Sequence, residues 1–217
     1  MKLIKYSHSC VRLENNHHAL VFDPGIFSES AEALESANYV VVTHNHPDHF
    51  DADTVVPYLA EHPQIKVFAP QPVADEIRKV APDTEVTVLS GEEEVEVEGF
   101  SLKTFGGQHA LIHPLVQTIP NVGVLVNDSV YHPGDSLVVP HGLQVKNLLV
   151  PIHAPWNKIQ EVIDFIIAVG APKAFPIHNA LLSDAGHTII EGQLKNFGSK
   201  YGTEYQHLET GDAEDLS

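Results

Sequence analysis

The stretch "VVTHNHPDHFDADTV", residues 41–55, decides how the chain is read. A run of apolar residues, Tyr39–Val42, enters it with no polar alternation, as expected of a strand covered on both faces. The run then breaks into His44-x-His46-x-Asp48-His49. His44 and His46, two positions apart on an extended backbone, can face one cation, with Pro47 stiffening the turn. Asp48 and His49, further round the turn, face a neighbouring position. Neutral imidazoles suit Zn, Fe, Ni and Mn, and carboxylates widen that choice. The bland alternative is a loop of solvated or capping polar residues. Four donor residues within six positions, directly after an apolar strand, weigh against it. Asp51 or Asp53 then caps a helix whose apolar face is Val55, Val56 and Leu59.

Outward from this stretch, strands and helices alternate. Lys2–Asp23 reads as short strands with a turn in "ENNHH", stopped by Pro24-Gly25. "SESAEALESA" reads as a short helix with Ser28 or Ser30 as its cap. "KVFAP" is a strand, and "QPVADEIRKVAP" a helix with Pro72 in its first turn. "EVEVEGFSLKTF" forms a hairpin around Glu98-Gly99, and "NVGVLVNDSVYHPGDS" another around Asn127-Asp128. "NLLVPIHAPW" and "KAFPIHN" are strands, each followed by a helix, the first ending at Gly170. The pattern suggests two sheets in the middle with helices outside. No linker or repeat interrupts it, so one domain over residues 1–217 is expected.

One cluster cannot close a metal site, and the other strand ends supply candidates. His109 follows "SLKTFGGQ", where Gly106-Gly107 allow close backbone approach. Asp135 follows a strand in "VYHPGDS", and His178 ends "KAFPIH". His113, four residues after His109, is its rival.

The ordered set of motifs resembles that of the metallo-β-lactamase-fold hydrolases. In that superfamily an Asp after an early strand, HxHxDH, a His, an Asp and a His come in that order. Here they are matched by Asp23 in "VFDPG", "HNHPDH", His109, Asp135 in "GDS" and His178 in "PIH". The resemblance implies a four-layer αββα sandwich of two mixed sheets with a binuclear site at one edge. It also implies that His44, His46 and His109 hold one metal, that Asp48, His49 and His178 hold the second, and that Asp135 bridges them. Two divalent cations are implied, zinc first, with manganese or iron as alternatives. Asp23 would orient the ligand loop through hydrogen bonds, its plainer reading being a turn-forming Asp before Pro. The start "YSHSC" is similar to the "GHS" turn of the ascorbate-6-phosphate lactonase-like branch, with Ser7 in place of the glycine. His46 stands where the oxygen-reducing diiron members place Glu.

The implied chemistry is hydrolysis of a small ester, lactone or phosphoester by a metal-bridging hydroxide, with Asp48 positioning the attacking oxygen. No Ser or Cys triad is evident. His153 and Trp156, in "PIHAPWNK", fall after a strand where a pocket is expected, His153 either as an oxyanion or leaving-group contact or as a residue that supports the site or packs beside it. His8 is a further pocket candidate, and His132 packs in a strand or supports the site. His17, His18, His62, His141, His187 and His207 read as surface or turn residues, and Cys10 as a core residue. The alternatives to an enzyme are a metal-dependent metabolite-binding module and a metal site serving stability alone.

Composition narrows the class. With 29 acidic and 12 basic residues, the formal charge of −17 repels nucleic-acid phosphates and argues for a small-molecule substrate, which a cationic pocket would allow to be anionic. The one cysteine excludes a disulfide framework and a Cys-based zinc site. "MKLIKYSHSC" offers no signal-peptide core, and no apolar run approaches membrane-spanning length of about 20 residues, so a cytoplasmic protein is expected.

Overall fold

The computed structural model describes residues 1–216. Its strands build two seven-stranded sheets. The first contains β1 (Lys2–Lys5), β2 (Val11–Asn15), β3 (His18–Phe22), β4 (Tyr39–Val41), β5 (Lys66–Ala69) and β6 (Val86–Val88) in spatial order. The second runs in reverse from β12 (Lys173–Ile177) through β11 (Asn147–Pro151), β10 (Val130–His132), β9 (Val122–Val126) and β8 (Phe100–Gly106) to β7 (Glu94–Val97). Each is antiparallel at its hairpins and parallel where a helix makes the crossover. The helices are α1 (Ser30–Leu34), α2 (Ala52–Glu61) and α3 (Gln71–Val80) on one side, and α4 (Ile159–Val169) and α5 (Asp184–Lys200) on the other.

Strand alternation sorts the core into three apolar layers. Leu20, Phe22, Val41 and Phe68 of the first sheet meet Leu102, Val124, Leu149 and Phe175 of the second. The opposite faces, Val21, Val40 and Val67, pack on Val55, Leu59, Val73 and Ile77 of α2 and α3. Leu125, Leu148 and Val150 pack on Val162, Phe165 and Leu194 of α4 and α5. A period of two in each strand thus yields helix, sheet, sheet, helix. This is the αββα sandwich of two mixed sheets.

Local differences from the sequence reading have local causes. Asp51 caps α2 as expected, accepting from Thr54 N at 3.2 Å. Ser28 and Ser30 do not cap α1: both hydroxyls donate instead to Gly25 O, at 2.8 and 2.9 Å. The cap position falls to Glu29, whose carboxylate is engaged by Ser7. The alternating stretch after Glu85 is divided between the sheets, β6 joining the first and β7 the second. Two C-terminal edge strands, β13 (Glu204–Tyr205) and β14 (Ala213–Asp215), are too short to show a strand period and pair with β12 and β1.

The sandwich gathers the chemistry at one edge. Asp23 follows β3, Thr43 and His44 follow β4, His109 follows β8, Asp135 follows β10, and His178 follows β12. Val122 N donates to Thr43 O at 3.1 Å, stitching the sheets together at that edge. Gly25 lies flat against the motif loop: a Cβ there would stand 1.9 Å from Asp48 O. Gly25→Ala is therefore expected to lower stability by about 3 kcal/mol, since backbone must move. Gly192→Ala, in open space on α5, should instead raise it by about 0.5–1 kcal/mol. Urea unfolding midpoints of the two variants check the contrast.

Candidate metal centre

Seven side chains singled out in the sequence converge at this edge. One group comprises His44, His46, His109 and Asp135, and an adjoining one comprises Asp48, His49, His178 and also His8. Within each group the donor atoms lie within 4.8 Å of one another. His113, the rival of His109, stays exposed, its Nδ1 accepting from Leu115 N.

The hydrogen bonds around the rings fix their tautomers. Thr43 Oγ1 donates to Asp23 Oδ2 at 2.8 Å, so it accepts from His44 Nδ1 at 3.0 Å. His49 Nδ1 donates to Asp23 Oδ2 at 2.7 Å. His109 Nδ1 donates to Ala110 O, and His178 Nδ1 to His153 O, each at 2.6 Å. Each of these four rings spends its Nδ1 proton outward and turns a bare Nε2 lone pair inward. There it meets carboxylate. Asp135 Oδ2 is 3.2 Å from both His109 Nε2 and His178 Nε2, and Asp135 Oδ1 is 3.0 Å from His49 Nε2. Although close, His49 Nε2 and Asp135 Oδ1 are buried without an aligned hydrogen bond.

Acceptors facing acceptors in a buried site call for positive charge between them. Burial disfavours charge on Asp135, yet the surrounding imidazoles, His49 foremost and then His109 and His178, outweigh it and hold its carboxyl well below the usual range. Burial likewise opposes positive charge on His49, but Asp135 and Asp23 outweigh it and raise its pKa well above the usual value. The two carboxylates thus call for a positive charge at Nε2 that a cation there would supply in place of a proton. The donor set, imidazole nitrogens with carboxylate oxygens, fits divalent cations of the zinc class.

Supporting residues surround the cluster. Asp23, wholly buried, also accepts from Thr43 N at 2.7 Å, so one carboxylate aligns both halves of the motif loop. Trp156 Nε1 donates to Asp135 Oδ2 at 2.9 Å. His8 Nδ1 accepts from Ala180 N, leaving Nε2–H to face Asp48 Oδ2 at 3.2 Å. Burial disfavours the Asp48 carboxylate, but this donor and the neighbouring histidines hold its pKa at about 2. His153 enters through its backbone carbonyl, and its ring takes no hydrogen bond among the described residues. The carbonyl thus positions His178, and the half-buried ring stays free to meet a bound molecule. His132 stacks on Phe22 and bonds Ser9 O.

Two contributors were not singled out in the sequence, Thr43 and Asn121. Asn121 accepts from Asp135 N at 2.9 Å and donates to Pro133 O at 3.1 Å. Its Oδ1 lies where a Cβ on Gly134 would reach 2.2 Å, and Gly134 has φ +60°. Nothing in "PNVGVL" marks such a role, because it depends on partners in the loop that follows β10. His187 and His207, expected at the surface, are half-buried against Glu191.

Residues 2–178 match the family model of the beta-lactamase superfamily domain. Protein Rv0786c of Mycobacterium tuberculosis is 36% identical over 199 residues, 89% of this chain and 91% of that protein. Igni18, described as a novel metallo hydrolase from Ignicoccus hospitalis, has a TM-score of 0.75 at 15% identity, over 98% of this chain and 97% of that one. CmlA, a diiron beta-hydroxylase from Streptomyces venezuelae, has a TM-score of 0.74 at 16% identity, over 99% of this chain and 54% of that one. A hydrolase and a hydroxylase share the fold, so the reaction must be argued from this chain's own residues.

Lys5 underlies the His8 turn. Its buried Nζ donates to the carbonyls of Tyr6 and His8, and burial brings its pKa down to about 8. Between that value and its ordinary 10.5 the unfolded chain holds a proton that the folded chain has released. Stability therefore rises with pH across this window, by on the order of 3 kcal/mol. Lys5→Met should remove that rise, read as the difference between wild-type and variant urea midpoints at either end of the window.

Proposed function

Because the chain belongs to the beta-lactamase superfamily, we propose that it is a metal-dependent hydrolase that cleaves a small ester, lactone or phosphoester at a binuclear centre. The observation that carries this is the ring of Nε2 lone pairs turned onto two carboxylates. His44, His46 and His109 would hold one cation, Asp48, His49 and His178 the second, and Asp135 would contact both. Zinc suits this donor set, with manganese or iron as alternatives. When bound, the cations would lower the pKa of a water to near neutrality and polarise the oxygen of the substrate under attack.

The protein's own groups prepare that step. Asp48 stays ionised down to about pH 2, so it can accept a hydrogen bond from an attacking water throughout the physiological range. His8 holds Asp48 Oδ2 from behind, and Trp156 pins Asp135 Oδ2, so neither carboxylate is free to rotate away. A thiol nucleophile is out of reach: Cys10 is wholly buried and burial pushes its pKa up to about 12. Water is the nucleophile these residues support.

The net acidity of the chain, −17, supports a small molecule rather than a nucleic acid as substrate. A positively charged centre would favour an anionic one. No helix among the described residues is long and apolar enough to cross a membrane.

The function is tested by metal analysis and turnover together. Elemental analysis should find two divalent cations per chain at this centre, with one lost in His46→Ala. Turnover on a panel of esters, lactones and phosphodiesters should fall more than about 100-fold in that variant. Failure of every substrate with both cations bound would overturn the enzyme reading in favour of a binding module. Asp23→Asn tests the support. Losing the paired alignment of Thr43 and His49 should weaken metal retention about 10- to 100-fold in chelator competition.

A further inference from the structure

A second convergence of donors lies away from this centre. His187 and Glu191 stand one turn apart on α5, and His207 follows β13. His187 Nδ1 is 2.7 Å from Glu191 Oε1, and His207 Nδ1 is 2.8 Å from the same oxygen. Two rings from separate elements thus aim at one carboxylate whose side chain is only 6% exposed. The rings meet nearly at right angles, 88°, as neighbours around a common point rather than as a stack.

Proton counting makes this arrangement informative. His207 faces carboxylate at both nitrogens: Nδ1 at Glu191, and Nε2 at 3.1 Å from Glu209 Oε1. A neutral imidazole has one N–H and cannot satisfy both, so the pair of carboxylates requires positive charge at this ring, as a second proton or as a bound cation. A cation bound at Nδ1 and at Glu191 resolves the conflict, with Nε2–H donated to Glu209. That chain of carboxylate, imidazole and metal is how protein ligands are held in orientation. Lys195, one turn beyond Glu191, lines the same cavity yet makes no ion pair with it among the described residues. The buried carboxylate is therefore not neutralised by lysine.

We propose that His187, Glu191 and His207 form a separate mononuclear site for a divalent cation of the zinc class. Two imidazoles among three donors select zinc, nickel or iron(II) over magnesium and calcium. Three protein ligands leave further coordination positions open, as at sites that bind a substrate or water. The cluster lines a cavity of about 780 Å³ that is also bordered by Ser7, Thr188 and Thr210 and extends to His8, the residue touching Asp48. An anionic oxygen, carboxylate or phosphate, is the ligand class those open positions would take. The site stands on its own donors, whether or not the central cluster turns over a substrate.

The full-length protein, dialysed against Zn²⁺ and freed of excess, provides the test. Diffraction at the zinc absorption edge should show an anomalous peak within about 2.3 Å of donor atoms of His187, Glu191 and His207. Elemental analysis should lose one zinc per chain in His187→Ala, and the same one in His207→Gln should the first variant fail to fold. His44→Ala, which affects only the central cluster, should keep the peak at α5. An absent peak at α5 in the zinc-loaded protein overturns the proposal. So does a folded His187→Ala or His207→Gln that takes up as much zinc as the wild type.

Discussion

The structure turns on one electrostatic constraint: Asp135 is buried among imidazole nitrogens whose protons point away from it. Such a cluster cannot be assembled from its inner residues alone. Each ring must be held by an outward acceptor, and here those are Asp23, Thr43 Oγ1 and the carbonyls of Ala110 and His153. Remove the acceptors and the rings could swing, exchange tautomers and satisfy one another. With them in place, positive charge must enter the centre.

The sandwich is suited to that demand because its strand ends are rigid and close together. Apolar layers on both faces of each sheet fix the strands, and the loops leaving them inherit that precision. The bond from Val122 N to Thr43 O ties the ends of the two sheets, so that ligands from different sheets hold a common geometry. Gly25 and Gly134 let backbone and side chains pass closer than any Cβ would permit. The edge is thus both the least regular part of the fold and one of the most tightly determined.

The acidic composition and the many histidines belong together. Carboxylates that face outward set the overall charge, while a few turned inward are matched by imidazoles at two places, the sandwich edge and the α5 wall of the neighbouring cavity. His8 sits between them, touching Asp48 on one side and the cavity on the other. A substrate reaching the centre through that cavity would meet polar groups along its path.

What the sequence determined by itself was the local pattern. Apolar runs ending in donor residues marked His44, His46, Asp48, His49, His109, Asp135 and His178, and alternation in the strands dictated two covered sheets. These are legible because a strand repeats every two residues and a metal motif concentrates in a few positions. What only tertiary structure decided were the pairings across distance. His8 against Asp48, Trp156 on Asp135, Asn121 beneath it, the carbonyl of His153 on His178, and His207 brought to α5 all join residues whose separation in the chain carries no periodic signal. The edge strands β13 and β14 belong with them, since a strand of two or three residues takes its shape from its partner rather than from its own pattern.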